Sequence, residues 1–396
     1  MKHLTRRQFL SMIAAASAGA AGLALSPRIT FAQGPTATPG VLPPPPPAGP
    51  IDLAAAGGIE KLIEAARAEG ELSTIALPDD WANYGEIKKV FFSRYNFLKH
   101  NDLAPDAGSA QEIEAIRANA GNKGPQNPDV IDVGFIWGKT AKEAGLLQPY
   151  KVATWDSIPA DLKDPDGFWY ADYYGTMAFE VNADVVKNVP QTWADLLKPE
   201  YKGQIALSGD PATAAQPAYA VWAAALANGG SITDPMPGLE FMLKLAESGN
   251  LIALPASPAT VASGETPITM RWDYNGLSNR DANKDSVKIE VVYPKDNTIA
   301  GVYVQAISAY APRPNAARLW MEFLYSDEGQ LLWLKGYATP VRYEDLRARN
   351  VIPAELQAAL PDVTGVNVAF PNVDQIAVGL KTINEKWNEV VGSKLG

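Results

Sequence analysis

The chain contains no cysteine and only two histidines, His3 and His100. The absence of cysteine excludes disulfides, thiolate metal sites, a cysteine nucleophile and a lipid-modified cysteine at a cleavage site. Zinc motifs such as H-E-x-x-H are excluded too, and a Ser-His-Asp triad would depend on His100 alone. The G-x-S-x-G, G-x-x-x-x-G-K-[ST] and G-x-G-x-x-G motifs are also missing. We therefore predict no catalytic residue, no metal site and no cofactor.

The amino terminus has the pattern of an export signal. Arg6-Arg7 precedes an uncharged stretch, Ser11 to Pro27, that is rich in alanine, leucine and glycine. This pattern is typical of the twin-arginine route, which exports proteins that have already folded. Small residues at Thr30 and Ala32 predict cleavage before Gln33, with an uncleaved anchor as the alternative. We expect residues 1–32 to be a signal peptide and the protein to work in the periplasm or on the outer face of the cytoplasmic membrane.

Basic residues are scarce relative to acidic ones. The chain has 34 Lys and Arg against 44 Asp and Glu, and loss of residues 1–32 would remove four bases and no acids, which leaves 30 against 44, or −14. Such a charge disfavours nucleic acid and anionic lipid as partners. Residues 33–50 include five consecutive prolines, Pro43 to Pro47, and predict an extended linker. The remaining chain, about 345 residues, is long enough for two lobes.

Helical and strand-like segments alternate after Ile51. The pattern predicts a strand over Leu72–Leu77, a helix over Tyr84–Tyr95 and a strand over Val130–Phe135. This alternation is typical of an α/β fold with a parallel sheet covered on both faces. In such sheets, ligands bind at the carboxyl ends of the strands, against helix N-termini.

Three helix starts are strongly indicated. Ser109 with Glu112 forms a possible capping box, and Asp210-Pro211 and Ser257-Pro258 each place a capping residue before a proline. Each start follows an apolar, strand-like segment. Besides capping, such starts could direct free backbone N–H groups at a polar ligand.

Several longer segments resemble a known family. They are Tyr174 to Asn182 (YGTMAFEVN), Pro190 to Gly203 (PQTWADLLKPEYKG), Asn127 to Val130, Ala316 to Gln330, and Gly336 to Arg342. In the order and spacing of these segments along the sequence, the chain resembles bacterial extracellular solute-binding proteins of ABC importers. The resemblance is nearest to their spermidine/putrescine and ferric-iron branches.

The resemblance implies an α/β, two-lobed, type II periplasmic-binding-protein-like fold. Each lobe would be a mostly parallel sheet flanked by helices, and two crossing strands would join the lobes. We expect the first lobe at residues 51–176 and 302–345, the second at 177–301, and C-terminal helices over 346–396. A monomer of this kind would close on a small molecule by hinge motion and deliver it to a membrane permease.

The resemblance and the residues at strand ends together indicate a binding site. Aromatic walls with carboxylates suit an alkylammonium group, because cation–π contacts and charge-assisted hydrogen bonds both stabilise it. We expect an amine-bearing cation or zwitterion, polyamine-like, to contact ten residues. They are Asp80, Trp81, Ser109, Trp137, Tyr174, Asp210, Thr213, Trp272, Asp273 and Tyr274.

Other ligands and functions remain open at this point. Ferric iron would be held by paired tyrosines, but Arg271 to Gly276 contains only Tyr274, and the Tyr173-Tyr174 pair lies at the first crossing. Arg271 with hydroxyl groups could instead bind a phosphonate or phosphate. A secreted hydrolase could use carboxylates such as Asp79 and Asp80. A surface adhesin on a proline stalk would bind a partner protein and no small ligand.

Overall fold

The computed structural model describes residues 42–360 and 365–395. The predicted signal peptide, its cleavage site and the first part of the linker lie outside these residues. The eleven described strands are β1 (Glu71–Ile75), β2 (Lys99–Leu103), β3 (Val130–Gly134), β4 (Leu147–Gln148), β5 (Tyr170–Asn182), β6 (Ile205–Leu207), β7 (Ile268–Trp272), β8 (Ile289–Val292), β9 (Thr298–Ser308), β10 (Thr339–Pro340) and β11 (Val368–Ala369).

Thirteen α-helices lie within the described residues. They are α1 (Ile59–Glu69), α2 (Tyr84–Arg94), α3 (Ser109–Ala118), α4 (Phe135–Glu143), α5 (Ala215–Ala227), α6 (Met236–Glu247), α7 (Pro258–Ser263), α8 (Asp273–Asn283), α9 (Pro314–Leu324), α10 (Asp327–Lys335), α11 (Tyr343–Ala348), α12 (Ala354–Ala359) and α13 (Val373–Val390). Short 3-10 turns lie at Trp155–Ser157, Ala160–Leu162, Ala194–Leu197, Pro199–Tyr201 and Gly392–Lys394.

Two long strands, β5 and β9, connect the lobes and pair with each other in antiparallel register. In the first lobe β9 also pairs with β3 and β4, and β1 and β2 form a parallel pair beside them. In the second lobe β5 pairs with β7 and β8, and β6 adds in parallel to β7. The two-lobed α/β fold is thus confirmed, with a mixed sheet, because the crossing strands add antiparallel pairs to the parallel ones.

The crossing strands meet at a pair of glycines. Gly175 of β5 lies opposite Gly301 of β9. A Cβ atom at Gly301 would lie 2.1 Å from the Trp272 ring, and one at Gly175 would lie 2.4 Å from the Tyr274 ring. Both glycines are therefore required by the close approach of an aromatic ring to the backbone.

The described end of the proline-rich segment touches the first lobe. Residues 43–49 are exposed. The Pro43 carbonyl accepts a hydrogen bond from the Tyr310 hydroxyl (2.7 Å), and the Pro50 carbonyl accepts one from Arg318 Nε (2.9 Å). These two contacts fix where the chain enters the lobe. The lobe boundaries themselves remain predictions.

Candidate ligand-binding cleft

A cavity of about 770 Å³ lies between the lobes. The first lobe contributes the loops after β1 and β2 and the start of α3, while the second lobe contributes Ser208 and the segment Thr213 to Pro217. Tyr303 of the crossing strand β9 also lines the cavity. The site therefore lies where strands end and helices begin, which is where ligands bind in open α/β sheets.

The loops that border the cleft contain unusual backbone conformations. Ala76, Ala82 and Asn83 have φ of 58°, 45° and 67° in the loop between β1 and α2, and Ala104 has φ of 37° just after β2. Residues other than glycine adopt this left-handed region at a cost, and such strain concentrates at functional sites. The strained loops carry Asp80, Trp81 and Asp106, which line the cavity.

The charged groups of the cleft are all acidic. Asp80, Asp106, Glu112 and Asp132 line it, and no lysine, arginine or histidine occurs among the lining residues that the structure describes. Asp80 and Asp106 are exposed, whereas Glu112 and Asp132 are buried. This charge distribution favours a cationic group over an anionic one.

Aromatic rings form the cleft wall nearest the crossing strands. Trp81 and Tyr303 both line the cavity, and their ring centroids are 5.7 Å apart at an edge-on angle of 73°. Trp81 Nε1 donates a hydrogen bond to the Tyr173 hydroxyl at 2.7 Å, which fixes the plane of the indole. Trp137, in the first turn of α4, also lines the cavity. Aromatic faces of this kind can stack on a ligand or accept a cation.

The floor of the cleft contains a buried carboxyl pair. Asp132 Oδ2 accepts hydrogen bonds from the hydroxyls of Tyr84 (2.6 Å) and Tyr173 (3.2 Å). Glu112 Oε2 accepts a hydrogen bond from the Asp132 backbone N–H at 3.0 Å. Burial raises the pKa of both carboxyls, and the negative charge of Asp132 raises that of Glu112 further.

Polar groups from both lobes complete the lining. Ser109 Oγ accepts a hydrogen bond from the Gly134 N–H at 3.0 Å, which ties the start of α3 to the end of β3. Gln216 of the second lobe donates to Ser208 Oγ at 2.9 Å and accepts from the Trp272 N–H at 3.0 Å. These contacts hold the hydroxyl and amide groups in fixed positions across the cleft.

Two of the three predicted helix starts differ from the structure. At α3, Gln111 Oε1 accepts from the Gly108 N–H, so the box is shifted by one residue and Glu112 turns into the core. At Asp210 the carboxylate accepts from the Ala212 N–H in a local turn, and α5 begins only at Ala215. The third start is confirmed, because Ser257 Oγ accepts from the Thr260 N–H at the beginning of α7.

The structure brings five of the ten predicted ligand contacts together. These five line the same cavity and come from both lobes: Asp80, Trp81, Ser109, Trp137 and Thr213. Asp210 is exposed in the turn before α5, outside the lining. Tyr174 is half-buried beside Phe370, with ring centroids 5.5 Å apart, and its backbone pairs with Thr339.

The segment Trp272 to Tyr274 also lies outside the cleft lining. Trp272 and Tyr274 are each 1% exposed, because their rings fill the space left by Gly301 and Gly175. Asp273 Oδ1 accepts from the backbone N–H of Thr176 at 3.0 Å, and Oδ2 accepts from the Tyr293 hydroxyl at 3.0 Å. The segment therefore joins β7 to the crossing strands, and a ligand role for it remains a prediction.

Arg271, considered above as an anion-binding group, does not line the cleft. Its Nη1 lies 3.0 Å from Glu180 Oε2, and both side chains are buried in the second lobe. Asn279 also donates to Glu180. The positive charge of Arg271 is therefore neutralised within the lobe.

Sequence reasoning missed Glu112, Asp132, Gln216 and Tyr303. The signal for Asp132 was present, since an aspartate interrupts the apolar run of β3. A charged residue inside a buried strand is rare unless it has a partner or a function. Glu112 was assigned to a cap, and nothing in the sequence distinguishes Tyr303 or Gln216 from ordinary core or surface residues.

Two further observations on the described residues concern metal-binding clusters and membrane-spanning helices. In residues 42–360 and 365–395, no three or more His, Asp or Glu side chains are grouped so as to hold a metal ion. In the same residues no helix is long and apolar enough to cross a membrane.

Comparison with known proteins identifies the family. The family described as bacterial extracellular solute-binding protein matches residues 126–365, more than half of the chain. The spermidine/putrescine-binding periplasmic protein of Escherichia coli (strain K12) is 29% identical over 282 residues, which cover 67% of this chain and 73% of that protein. A putative 2-aminoethylphosphonate-binding periplasmic protein of Salmonella typhimurium is 25% identical over 305 residues, 73% of this chain and 82% of that protein.

Among solved structures, the periplasmic binding protein AfuA from Actinobacillus pleuropneumoniae, with fructose-6-phosphate bound, has the same fold. The TM-score is 0.65 at 21% identity, over 82% of this chain and 99% of that one. The sequence match, the two lobes and the cleft between them lead to one conclusion. The chain belongs to the bacterial extracellular solute-binding proteins, the family of ligand-capturing components of ABC importers.

Proposed function

We propose that this protein captures an amine-bearing organic cation or zwitterion, polyamine-like in chemistry, and delivers it to an ABC permease. The observation that carries the proposal is the lining of the cleft, which combines four carboxyl groups with Trp81, Trp137 and Tyr303 and contains no cationic side chain among the described residues. An ammonium group gains both charge-assisted hydrogen bonds and cation–π contacts in such surroundings.

The similar proteins support the same ligand class. Spermidine, putrescine and 2-aminoethylphosphonate, which appear in the names of the two sequence relatives, all carry amino groups. A purely anionic ligand is less suited to this cleft, because Arg271 is paired with Glu180 and the lining is acidic. Ferric iron is also less suited, since Tyr303 is the one tyrosine in the described lining.

The proposed role also requires that the protein is exported and that it binds its ligand without chemical turnover. The Arg6-Arg7 leader supports export to the periplasm or to the outer face of the cytoplasmic membrane. A hydrolytic role is disfavoured because Asp79 forms an ion pair with Lys88 at 2.8 Å and does not line the cleft with Asp80.

Thermal denaturation with a ligand panel tests the proposal. Putrescine, spermidine and 2-aminoethylphosphonate are compared with amino acids, thiamine, fructose 6-phosphate, inorganic phosphate and ferric citrate. A true ligand at a hundredfold its Kd should stabilise the protein by about 2.7 kcal/mol. Stabilisation by phosphates or ferric citrate without any response to amines would contradict the proposal.

Substitutions in the cleft make the test specific. Trp81→Ala should weaken amine binding about 2- to 30-fold, the range expected for one cation–π contact. Trp155→Ala is the matched control, because Trp155 is also half-buried but lies outside the cleft. Asp80→Asn should weaken binding too, with the exposed Asp161→Asn as its control. Equal effects in test and control variants would remove Trp81 and Asp80 from the site.

A further inference from the structure

Three buried carboxyl groups influence one another electrostatically at the floor of the cleft. Glu112, Asp132 and Asp172 are 1%, 5% and 0% exposed. Asp132 Oδ1 and Asp172 Oδ2 have no hydrogen-bond partner among the described residues. Of the three, Glu112 and Asp132 line the cavity. Buried carboxylate oxygens without partners are costly, so each such group must either be protonated or await a partner.

The groups that face Asp132 are acidic or neutral. Glu112 approaches from α3, Tyr84 from α2, and Asp172 and Tyr173 from β5. Further phenols belong to residues of β9 and α8 and to the residue that follows α9, namely Tyr303, Tyr274 and Tyr325. Among residues 42–360 and 365–395, no lysine, arginine or histidine acts on Asp132, and only the Tyr84 and Tyr173 hydroxyls oppose the cost of its burial.

The hydrogen bonds of Asp132 connect it to the wall of the cleft. Trp81 Nε1 donates to the Tyr173 hydroxyl, which in turn donates to Asp132 Oδ2. On the other side, Gln305 Nε2 donates to the Tyr84 hydroxyl at 2.7 Å, and that hydroxyl donates to the same carboxyl oxygen. Oδ2 is therefore fully engaged, and Oδ1, which is itself buried, is the atom left to carry a proton.

We propose that capture of an ammonium ligand ionises Asp132, so that binding releases to solvent whatever proton Asp132 carries in the empty protein. The step breaks one O–H bond at Asp132, whose proton leaves to solvent, and the ammonium group, which keeps its own proton, stabilises the resulting carboxylate by its charge across the floor of the cleft. The proposal rests on the proposed amine-binding function and adds its proton linkage. Burial raises the pKa of Asp132 to about 7, which puts the effect in the neutral range.

The linkage gives amine affinity a defined pH dependence. At low pH the ligand must displace a proton from Asp132, whereas at high pH the carboxylate is already charged and ready. Affinity should therefore rise as the pH increases through the neutral range. Alkylamines keep their own charge there, because their pKa lies near 10.

Calorimetric titration of the full mature chain with putrescine and spermidine measures the released proton directly. The observed heat at pH 7 is plotted against the ionisation enthalpy of phosphate, PIPES and ACES buffers. We expect a slope of about half a proton released per ligand, since the pKa is near the working pH. Amine binding with zero slope would overturn the proton linkage but leave the proposed function standing. No heat with either amine would overturn the proposed function itself.

Asp132→Asn assigns the proton to one residue. This isosteric variant should bind the amines at least several-fold more weakly and release no proton, while Asp106→Asn, a change at an exposed cleft carboxyl, should keep the release. An unchanged slope in Asp132→Asn would place the proton elsewhere and overturn the assignment. A circular dichroism melt checks that the variant is folded, and the wild-type buffer series stands without it.

Discussion

At the scale of single residues, the side chain that most affects the choice of ligand is Arg271. Arg271 is 8% exposed, and its guanidinium pairs with Glu180, which is 0% exposed. Arg271 Nε has no partner among the described residues, so the pair is only partly satisfied. A buried charge in this state depends on its one partner, and it cannot serve an anion in the cleft without leaving Glu180 unpaired.

Removal of that partner should be strongly destabilising. Glu180→Ala leaves Arg271 buried and unpaired, and we expect a loss of about 3–5 kcal/mol in the free energy of unfolding. Urea denaturation measures the loss. The matched control is Glu290→Ala, which breaks the more exposed pair with Lys288 and should cost no more than about 1 kcal/mol. Equal losses in the two variants would show that the buried pair contributes no more to the free energy of unfolding than the exposed pair does.

Asp273 should make stability depend on pH. Burial raises its pKa to about 6 from an ordinary value of 3.8. Because the folded pKa is the higher one, the carboxyl costs nothing below about pH 3.8 and carries its full penalty above about pH 6. We expect Asp273→Asn to gain about 2.5 kcal/mol relative to wild type between pH 4 and pH 7.5. Urea denaturation at both pH values checks this, and Asp161→Asn should show no such change.

At the scale of secondary structure, the crossing strands decide which aromatic residues reach the cleft. Gly175 and Gly301 face each other, and the rings of Tyr274 and Trp272 occupy the space above them. Trp81 and Tyr303 are left to form the wall of the cavity. The glycine pair therefore separates the packing aromatics from the ligand-facing ones.

Gly301→Ala tests this arrangement. The new methyl group would collide with the Trp272 ring, and overpacking of this kind typically costs about 1–3 kcal/mol. Thermal unfolding measures the loss. Gly108→Ala is the control, because no atom lies within 4 Å of its added Cβ. Partial recovery in the double variant Gly301→Ala with Trp272→Leu would identify the ring as the cause, and no recovery would contradict it.

The alternation of helices and strands, the cap at Ser257 and the approximate strand ends could be predicted, because they depend on nearby residues. The end of β7 at Trp272 could also be predicted, but the direction in which the Trp272 and Tyr274 rings point could not. That direction depends on Gly175 meeting Gly301, which are far apart in sequence. The helix start predicted at Asp210-Pro211 was wrong, because an aspartate can form a local turn as readily as a helix cap.

At the scale of the whole molecule, the cleft depends on the folding of the entire chain. The two lobes contact each other through strands that are distant in sequence, so the cleft exists only when the whole chain has folded. A route that carries folded proteins would deliver this cleft complete.

Export should fail when the paired arginines are changed. Arg6-Arg7→Lys-Lys is expected to leave the protein in the cytoplasm, whereas Arg28→Lys, a change near the predicted cleavage site, should not. Cell fractionation followed by immunoblotting measures the distribution. Full export of the double-lysine variant would show that another route is used.

The distribution of tryptophan has a practical consequence. Of the ten tryptophans in the chain, seven are buried, and Trp81 and Trp137 are two of the three half-buried ones. Only these two line the cleft, and the Trp81 indole is hydrogen-bonded through Tyr173 to Asp132. A ligand that enters should alter the surroundings of these indoles and leave the buried ones unchanged. The intrinsic ultraviolet emission of the unlabelled protein should therefore serve as an optical readout of occupancy.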